Sequence, residues 1–127
     1  MRTHNCQRYG NDCTIAAIAT TLNISLDEAE ELMADIRKAP NNWVLHRDMK
    51  EKLIKFGYLE PDCKYSTKFD PSKGDAMIYA RYKDEPFRHY IPYIGGMFYD
   101  PADKEPSSKL NDCLIPSACS GIVNLAT

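Results

Sequence analysis

The chain has 127 residues, with 16 Lys and Arg against 18 Asp and Glu and a formal net charge of −2. This length fits one domain over residues 1–127, and the 43% hydrophobic fraction excludes a disordered chain. The near-neutral charge argues against a protein that coats nucleic acid, and no run approaches the roughly 20 apolar residues of a membrane span. The polar N-terminus carries no secretory signal, so we expect a cytoplasmic protein with reduced thiols.

The first helix is predicted to begin at Asp12. Asn11 and Asp12 are favoured N-cap residues, and the apolar residues that follow recur at helical spacing. These apolar residues are Ile15, Ile18, Ala19 and Leu22.

A second helix is marked by its first turn. Ser25 and Glu28 have the spacing of a capping box, and Pro40 stops the helix. The last predicted turn contains Arg37 and Lys38, in keeping with the helix macrodipole. The apolar stripe consists of Leu26, Ala29, Leu32, Met33 and Ile36.

The pattern changes from helix to strand after a third helix, predicted from about Leu45 to Phe56 with Gly57 as its C-terminal cap. Alternation of side chains then predicts strands, and Gly95-Gly96 is typical of a two-residue hairpin turn that needs positive φ. The predicted strands cover residues 76–82, 88–94, 97–100 and 121–125. Helices followed by an antiparallel sheet predict an α+β domain.

The number of cysteines is odd, so at least one thiol is free unless pairing is intermolecular. The sequence contains no Cys-x-x-Cys pair, and a zinc site would have to combine His4 or Cys6 with distant partners. The five cysteines are Cys6, Cys13, Cys63, Cys113 and Cys119.

Cys13 lies in the first turn of the first predicted helix. At 100° per residue it falls about 160° from the centre of the apolar stripe. At that place the unpaired backbone N–H groups and the positive end of the helix dipole stabilise a thiolate. The alternative is a small core cysteine that packs beside Ala16 and Ala17.

A cysteine nucleophile needs a histidine base and a group that orients it. Of His4, His46 and His89, only His89 lies in a predicted strand; the alternative for it is a half-exposed strand histidine. A two-residue Gly95-Gly96 turn makes His89 and Asp100 diagonal neighbours on one face of the hairpin. Asp103 then falls on the opposite face. The alternative for Asp100 is a turn residue of Asp100-Pro101.

Gln7 precedes Cys13 by six residues, on the segment that leads into the helix. From there its amide could join the backbone N–H of Cys13 as a hydrogen-bond donor to an oxyanion. The alternative is an ordinary solvated surface glutamine.

Four motifs occur in a particular order: Gln7 with a short loop, Asn11-Asp12-Cys13 at the start of an Ala-rich helix, His89 in a later strand, and Tyr99-Asp100-Pro101 at the end of the next strand. This pattern resembles papain-like cysteine peptidases, most closely the bacteriocin-leader (double-glycine) peptidases and their stand-alone relatives, over residues 7–101.

The resemblance implies a papain-like α+β fold and no metal or cofactor. It implies Cys13 as the nucleophile, His89 as general base and acid, and Asp100 as the orienting acid. It also implies that Gln7 lies in the oxyanion hole. Members of the family usually carry Gly after the nucleophile, whereas this chain has Thr14, which would narrow the cleft.

The resemblance predicts a thiol hydrolase, a peptidase or isopeptidase, that acts on a peptide or protein through an acyl-enzyme. An acyltransferase or amidase would use the same residues. A binding module that keeps the fold without turnover is the second class, and Thr14 favours it slightly. A zinc-held interaction domain would need Cys6, Cys113 and Cys119 to converge. Aromatic side chains of the sheet either pack against one another or line a substrate groove beside His89.

Overall fold

Three α-helices lie in the described part of the first half of the chain. The computed structural model describes residues 3–6, 13–38, 43–44, 46–60, 69–84 and 88–122. The helices are α1 (Cys13–Leu22), α2 (Leu26–Met33) and α3 (His46–Lys55). All three predicted helices are present, while the predicted N-cap residues Asn11 and Asp12 lie outside the described residues.

Helix α1 is buried on all sides, whereas the sequence predicts a helix with one apolar stripe. Every residue from Thr14 to Thr21 is buried, because α1 packs against α2 and against a strand of the sheet. Small and β-branched residues allow this close approach. The Thr21 hydroxyl donates to the Ala17 carbonyl at 2.8 Å, and the Thr20 hydroxyl oxygen accepts from the Asn5 N–H at 3.1 Å, so these buried polar groups are satisfied.

The ends of α2 and α3 follow local signals in the sequence, with one exception. The capping box of Ser25 and Glu28 is present. Gly57 adopts a φ of +81° after α3, as its predicted capping role requires. The exception is the end of α2, which was predicted to continue through Lys38. Instead, the strand β1 (Arg37–Lys38) pairs with β2 (Trp43–Val44), and these interstrand hydrogen bonds replace the last helical turn.

In the second half of the chain, the residues that the structure describes form a four-stranded antiparallel sheet in the order β5-β4-β3-β6. The two central strands are β3 (Ala76–Tyr82) and β4 (Arg88–Ile94), with the predicted bounds. Strand β5 (Met97–Phe98) is two residues shorter than predicted. The sheet and helices confirm the α+β prediction.

Strand β6 (Leu114–Gly121) was not predicted. The predicted strand over 121–125 meets it only at Gly121, and residues 123–127 lie outside the described residues. Pro116 and several small residues give β6 a weak strand pattern in the sequence. Proline cannot donate a backbone hydrogen bond to a neighbouring strand, but it is tolerated on an edge strand. The pairing of β6 with β3 shifts register between Tyr79 and Ala80, which accommodates this irregular strand.

Two apolar clusters lie on opposite faces of the sheet. The first contains α1, the inner residues of α2 and α3, and Met77 and Tyr90 from the sheet. The second contains Ile78, Ile91 and Cys119. None of the described helices combines the length and apolar character needed to cross a bilayer.

Candidate active site

The hairpin between β4 and β5 positions the first pair of site residues. Gly95 and Gly96 have φ values of +59° and +82°, so both turn residues adopt the positive φ that a two-residue turn needs. Ile94 pairs with Met97 and Tyr93 with Phe98, as the sequence predicts. The Tyr99 N–H continues the ladder by donating to the Pro92 carbonyl at 2.8 Å.

His89 and Asp100 meet on one face of this hairpin. The distance from His89 Nε2 to Asp100 Oδ1 is 2.5 Å, and the two residues are 3% and 5% exposed. The alternative of a half-exposed strand histidine is therefore wrong. Asp100 Oδ1 also accepts from the Ala102 N–H at 2.9 Å. Burial would raise the pKa of Asp100, but the His89 hydrogen bond and charge and the Ala102 N–H hold it below its usual value.

Cys13 is the first residue of α1, and its half-buried thiol lies within hydrogen-bonding reach of the His89 ring. The Asp100 contact uses His89 Nε2, which leaves Nδ1 as the nitrogen available to the thiol. The structure thus brings together three of the four predicted site residues. Two of these, Cys13 and His89, belong to elements that are far apart in the sequence and pack directly against each other, α1 and β4.

The surroundings of Cys13 favour the thiolate. Burial would raise the pKa of the thiol, but the hydrogen bond and positive charge of His89 lower it below the usual value. Hydrogen bonds from the Tyr90 backbone and the Thr14 side chain add to this lowering. The sequence alone does not assign either of these two groups to the site.

The same contacts stabilise the protonated form of His89. Burial would lower the pKa of the ring, but Asp100 and Cys13 together raise it to about 9. At pH values between the lowered pKa of Cys13 and the raised pKa of His89, Cys13 is a thiolate and His89 is an imidazolium. Such a pair can attack a carbonyl carbon and then supply a proton to a leaving group.

Thr14 lies in a buried environment next to the candidate nucleophile. Its side chain is buried, with the residue 5% exposed. Its hydroxyl contacts the neighbouring thiol. The narrowing of the cleft by Thr14 stays a prediction.

A loop of residues 99–106 carries Asp100 and is closed at its base by reciprocal backbone hydrogen bonds between Phe98 and Ser107, at 2.7 and 2.9 Å. Asp103 lies in this loop and is exposed, and its N–H donates to the Asp100 carbonyl at 3.0 Å. Its own carbonyl accepts from His4 Nε2 at 2.7 Å and from Cys6 Sγ at 2.8 Å. The first described segment of the chain therefore supports the Asp100 loop.

Other predicted candidates stand apart from this site or outside the described residues. Gln7 and Cys63 fall in the latter group. The cysteines that the structure describes, Cys6, Cys13, Cys113 and Cys119, are free thiols. Within the described ranges, no three His, Cys, Asp or Glu side chains are arranged to hold a metal ion, so Cys6, Cys113 and Cys119 do not form the alternative zinc cluster.

The chain was compared with protein-family models, with curated proteins and with solved structures, and none of these matches it. The contacts of Cys13, His89 and Asp100 are therefore the observation from which a function is argued.

Proposed function

We propose that the protein is a thiol hydrolase with a papain-like fold, a peptidase or isopeptidase acting on peptide or protein substrates. The observation that carries this proposal is the continuous chain of contacts from Cys13 through His89 to Asp100. The order of these residues along the chain and their places on a helix and in a sheet support the resemblance to papain-like peptidases. An isolated structural cysteine needs neither a histidine beside it nor a buried carboxylate behind that histidine.

In the first half-reaction the Cys13 thiolate attacks the carbonyl carbon of the scissile amide. A C–S bond forms, and the carbonyl oxygen becomes an oxyanion beside the N-terminus of α1, where the helix dipole is positive. The Cys13 N–H and the Gln7 side-chain amide are the proposed donors to this oxyanion. His89 then protonates the amine, the C–N bond breaks, and an acyl-enzyme remains.

In the second half-reaction neutral His89 takes a proton from water, which attacks the thioester carbonyl. The C–S bond breaks, the acid product leaves, and Cys13 returns to its thiolate with His89 protonated. Asp100 keeps the ring oriented and stabilises its charge throughout. An amine in place of this water would make the same site an acyltransferase.

Acetylation by p-nitrophenyl acetate tests the proposed chemistry without knowledge of the natural substrate. We expect a burst of nitrophenolate, one acetyl group located on Cys13 by mass spectrometry, and continued release as water regenerates the thiol. Cys13→Ala should abolish both phases, and Cys119→Ala is the matched control that should keep them.

Two outcomes would contradict the proposal. Acetyl groups spread over several cysteines would show that Cys13 is not specially nucleophilic. A burst without continued release would show a reactive thiol without hydrolysis, as in a binding module.

In the same assay Gln7→Ala should slow acetylation about a hundredfold, the usual cost of removing one oxyanion donor. Its rate of Cys13 alkylation by iodoacetamide should not change, because that reaction forms no oxyanion.

A further inference from the structure

Two arginines and two tyrosines form a block on the face of the sheet that packs on α1. Tyr79 and Arg81 lie on β3, opposite Tyr90 and Arg88 on β4. The pairing of β3 with β4 is unbroken from Ala76 to Arg81, so the four side chains share one face. We call these four residues the Tyr–Arg block.

The arginine pair is electrostatically unfavourable in the free protein. Arg81 and Arg88 are directly opposite each other, and like charges at such positions repel. Both residues are exposed. Over the ranges that the structure describes, neither arginine forms an ion pair with a carboxylate. A bound anion would remove this repulsion and bridge the two guanidinium groups.

The tyrosines connect the arginine pair with the reactive thiol. The rings of Tyr79 and Tyr90 lie 4.7 Å apart between centroids, and Arg88 Cζ lies 6.0 Å from the Tyr79 ring centroid. Cys13 and Tyr79 pack against the apolar cluster that contains Tyr90. The Tyr90 backbone also bonds to the thiol. The Tyr–Arg block therefore begins with the tyrosines near Cys13 and ends with the two arginines at the surface.

We propose that Arg81 and Arg88, with Tyr79 as a platform, form a subsite for a carboxylate, and that the protein acts on peptides carrying this carboxylate close to the scissile bond. This inference rests on the proposed hydrolase function and adds the substrate class to it. Guanidinium groups bind carboxylates through paired hydrogen bonds, and Arg88 is already oriented over an aromatic ring. The carboxylate belongs either to an Asp or Glu side chain or to the C-terminus of the substrate.

Alkylation with two reagents of nearly equal size tests the subsite. In both reactions the Cys13 thiolate displaces iodide, but iodoacetate carries a carboxylate and iodoacetamide is neutral. We expect Arg88→Gln and Arg81→Gln to lower the ratio of the iodoacetate rate to the iodoacetamide rate at Cys13 by about three- to fivefold each, as one nearby surface charge would. The difference in this ratio between the variants and the unsubstituted protein should shrink as salt is added. Arg47→Gln, on α3, is the matched control and should leave the ratio unchanged.

Failure of the subsite and failure of the hydrolase proposal give different results. If Cys13 reacts rapidly but neither arginine variant changes the ratio, the carboxylate subsite is overturned and the reactive thiol stands. If Cys13 is inert to both reagents in the unsubstituted protein, the proposed function itself is overturned.

The source of the carboxylate is tested by protection of Cys13 from iodoacetamide with three short peptides. Ac-Ala-Glu-Ala-NH₂ offers a side-chain carboxylate, Ac-Ala-Gln-Ala-OH a terminal one, and Ac-Ala-Gln-Ala-NH₂ neither. Stronger protection by the first or the second peptide than by the neutral one supports the subsite and identifies the source. Equal protection by all three would contradict it.

Discussion

Cys13 and Cys119 are two thiols in different regions of the molecule, the first half-buried and the second buried. Cys119 lies on β6 in the second apolar cluster, and burial alone raises the pKa of its thiol. Cys13 lies at the start of α1, and burial acts on it in the same direction. Its pKa nevertheless falls, because His89 contributes a hydrogen bond and a positive charge. The comparison shows that the partners of a thiol, and not its burial, decide here whether its pKa is lowered or raised.

The strongest test removes His89 and so makes Cys13 resemble Cys119. In His89→Ala, the Cys13 thiol loses the hydrogen bond and the positive charge that contribute most to offsetting its burial, so its pKa should rise. We expect the iodoacetamide rate at Cys13 near pH 7 to fall about a hundredfold, since each pKa unit changes the thiolate fraction about tenfold. Mass spectrometry of the labelled peptides gives the rate at each site.

Cys119 serves as the internal control in this experiment. Its slow labelling should remain unchanged if the variant keeps its fold, and should accelerate if the sheet loosens. Rapid labelling of Cys13 in an intact His89→Ala protein would mean that the helix N-terminus alone activates the thiol.

A smaller effect is expected when the acid behind His89 loses its charge. In Asp100→Asn the imidazolium loses its carboxylate, so the pKa of His89 should fall below about 9. A less stable imidazolium gives less support to the thiolate, so the pKa of Cys13 should rise. The pH range in which the ion pair exists therefore narrows from both ends, and labelling near neutral pH should slow about tenfold. NMR titration of the ring and the pH profile of labelling measure the two shifts.

Asp103→Asn is the matched control for this change. Asp103 is exposed and its side chain has no hydrogen bond with the described residues, whereas its backbone carbonyl accepts from His4 and Cys6. The substitution leaves that carbonyl in place, so labelling should be nearly unaffected. If Asp103→Asn slowed labelling and Asp100→Asn did not, the acid that orients His89 would be Asp103 and not Asp100. If neither matters, Cys13 and His89 act as a dyad.

The smallest predicted effect concerns Thr14. Thr14→Val removes the hydroxyl that contacts the thiol while keeping the shape of the side chain, so the pKa of Cys13 should rise slightly. We expect labelling below neutral pH to slow about two- to fivefold, as the loss of one weak hydrogen bond implies. Thr21→Val removes a hydroxyl bonded to the Ala17 carbonyl on the same helix and should leave the rate unchanged. Equal effects of the two variants would indicate a general loosening of α1.

The parts of the site that depend on local geometry could be predicted from the sequence. The pairing of Ile94 with Met97 follows from the Gly95-Gly96 turn, and that register places His89 and Asp100 on one face. The capping box of α2 and the cap at Gly57 are equally local. Such features are specified within a few residues of chain.

The parts that depend on distant packing could not be predicted in the same way. The burial of α1 on all sides and the contact of the Tyr90 backbone with the Cys13 thiol arise only when α1 packs against β4. Strand β6 was missed because Pro116 and small side chains give it a weak strand pattern, and pairing with β3 overrides that pattern. The end of α2 was mispredicted because β1 finds a partner in β2.

The bonds from His4 and Cys6 to the Asp103 carbonyl span sequence separations of 99 and 97 residues. Closing so long a stretch of chain costs more entropy than closing a hairpin, so these bonds need the rest of the fold to hold both ends in place. The His89–Asp100 contact spans 11 residues of one hairpin, whereas the contact of His89 with Cys13 joins the two halves of the chain. If Cys13 is the proposed nucleophile, its activation requires α1 and β4 to pack together, and an unfolded chain would carry it as an ordinary thiol.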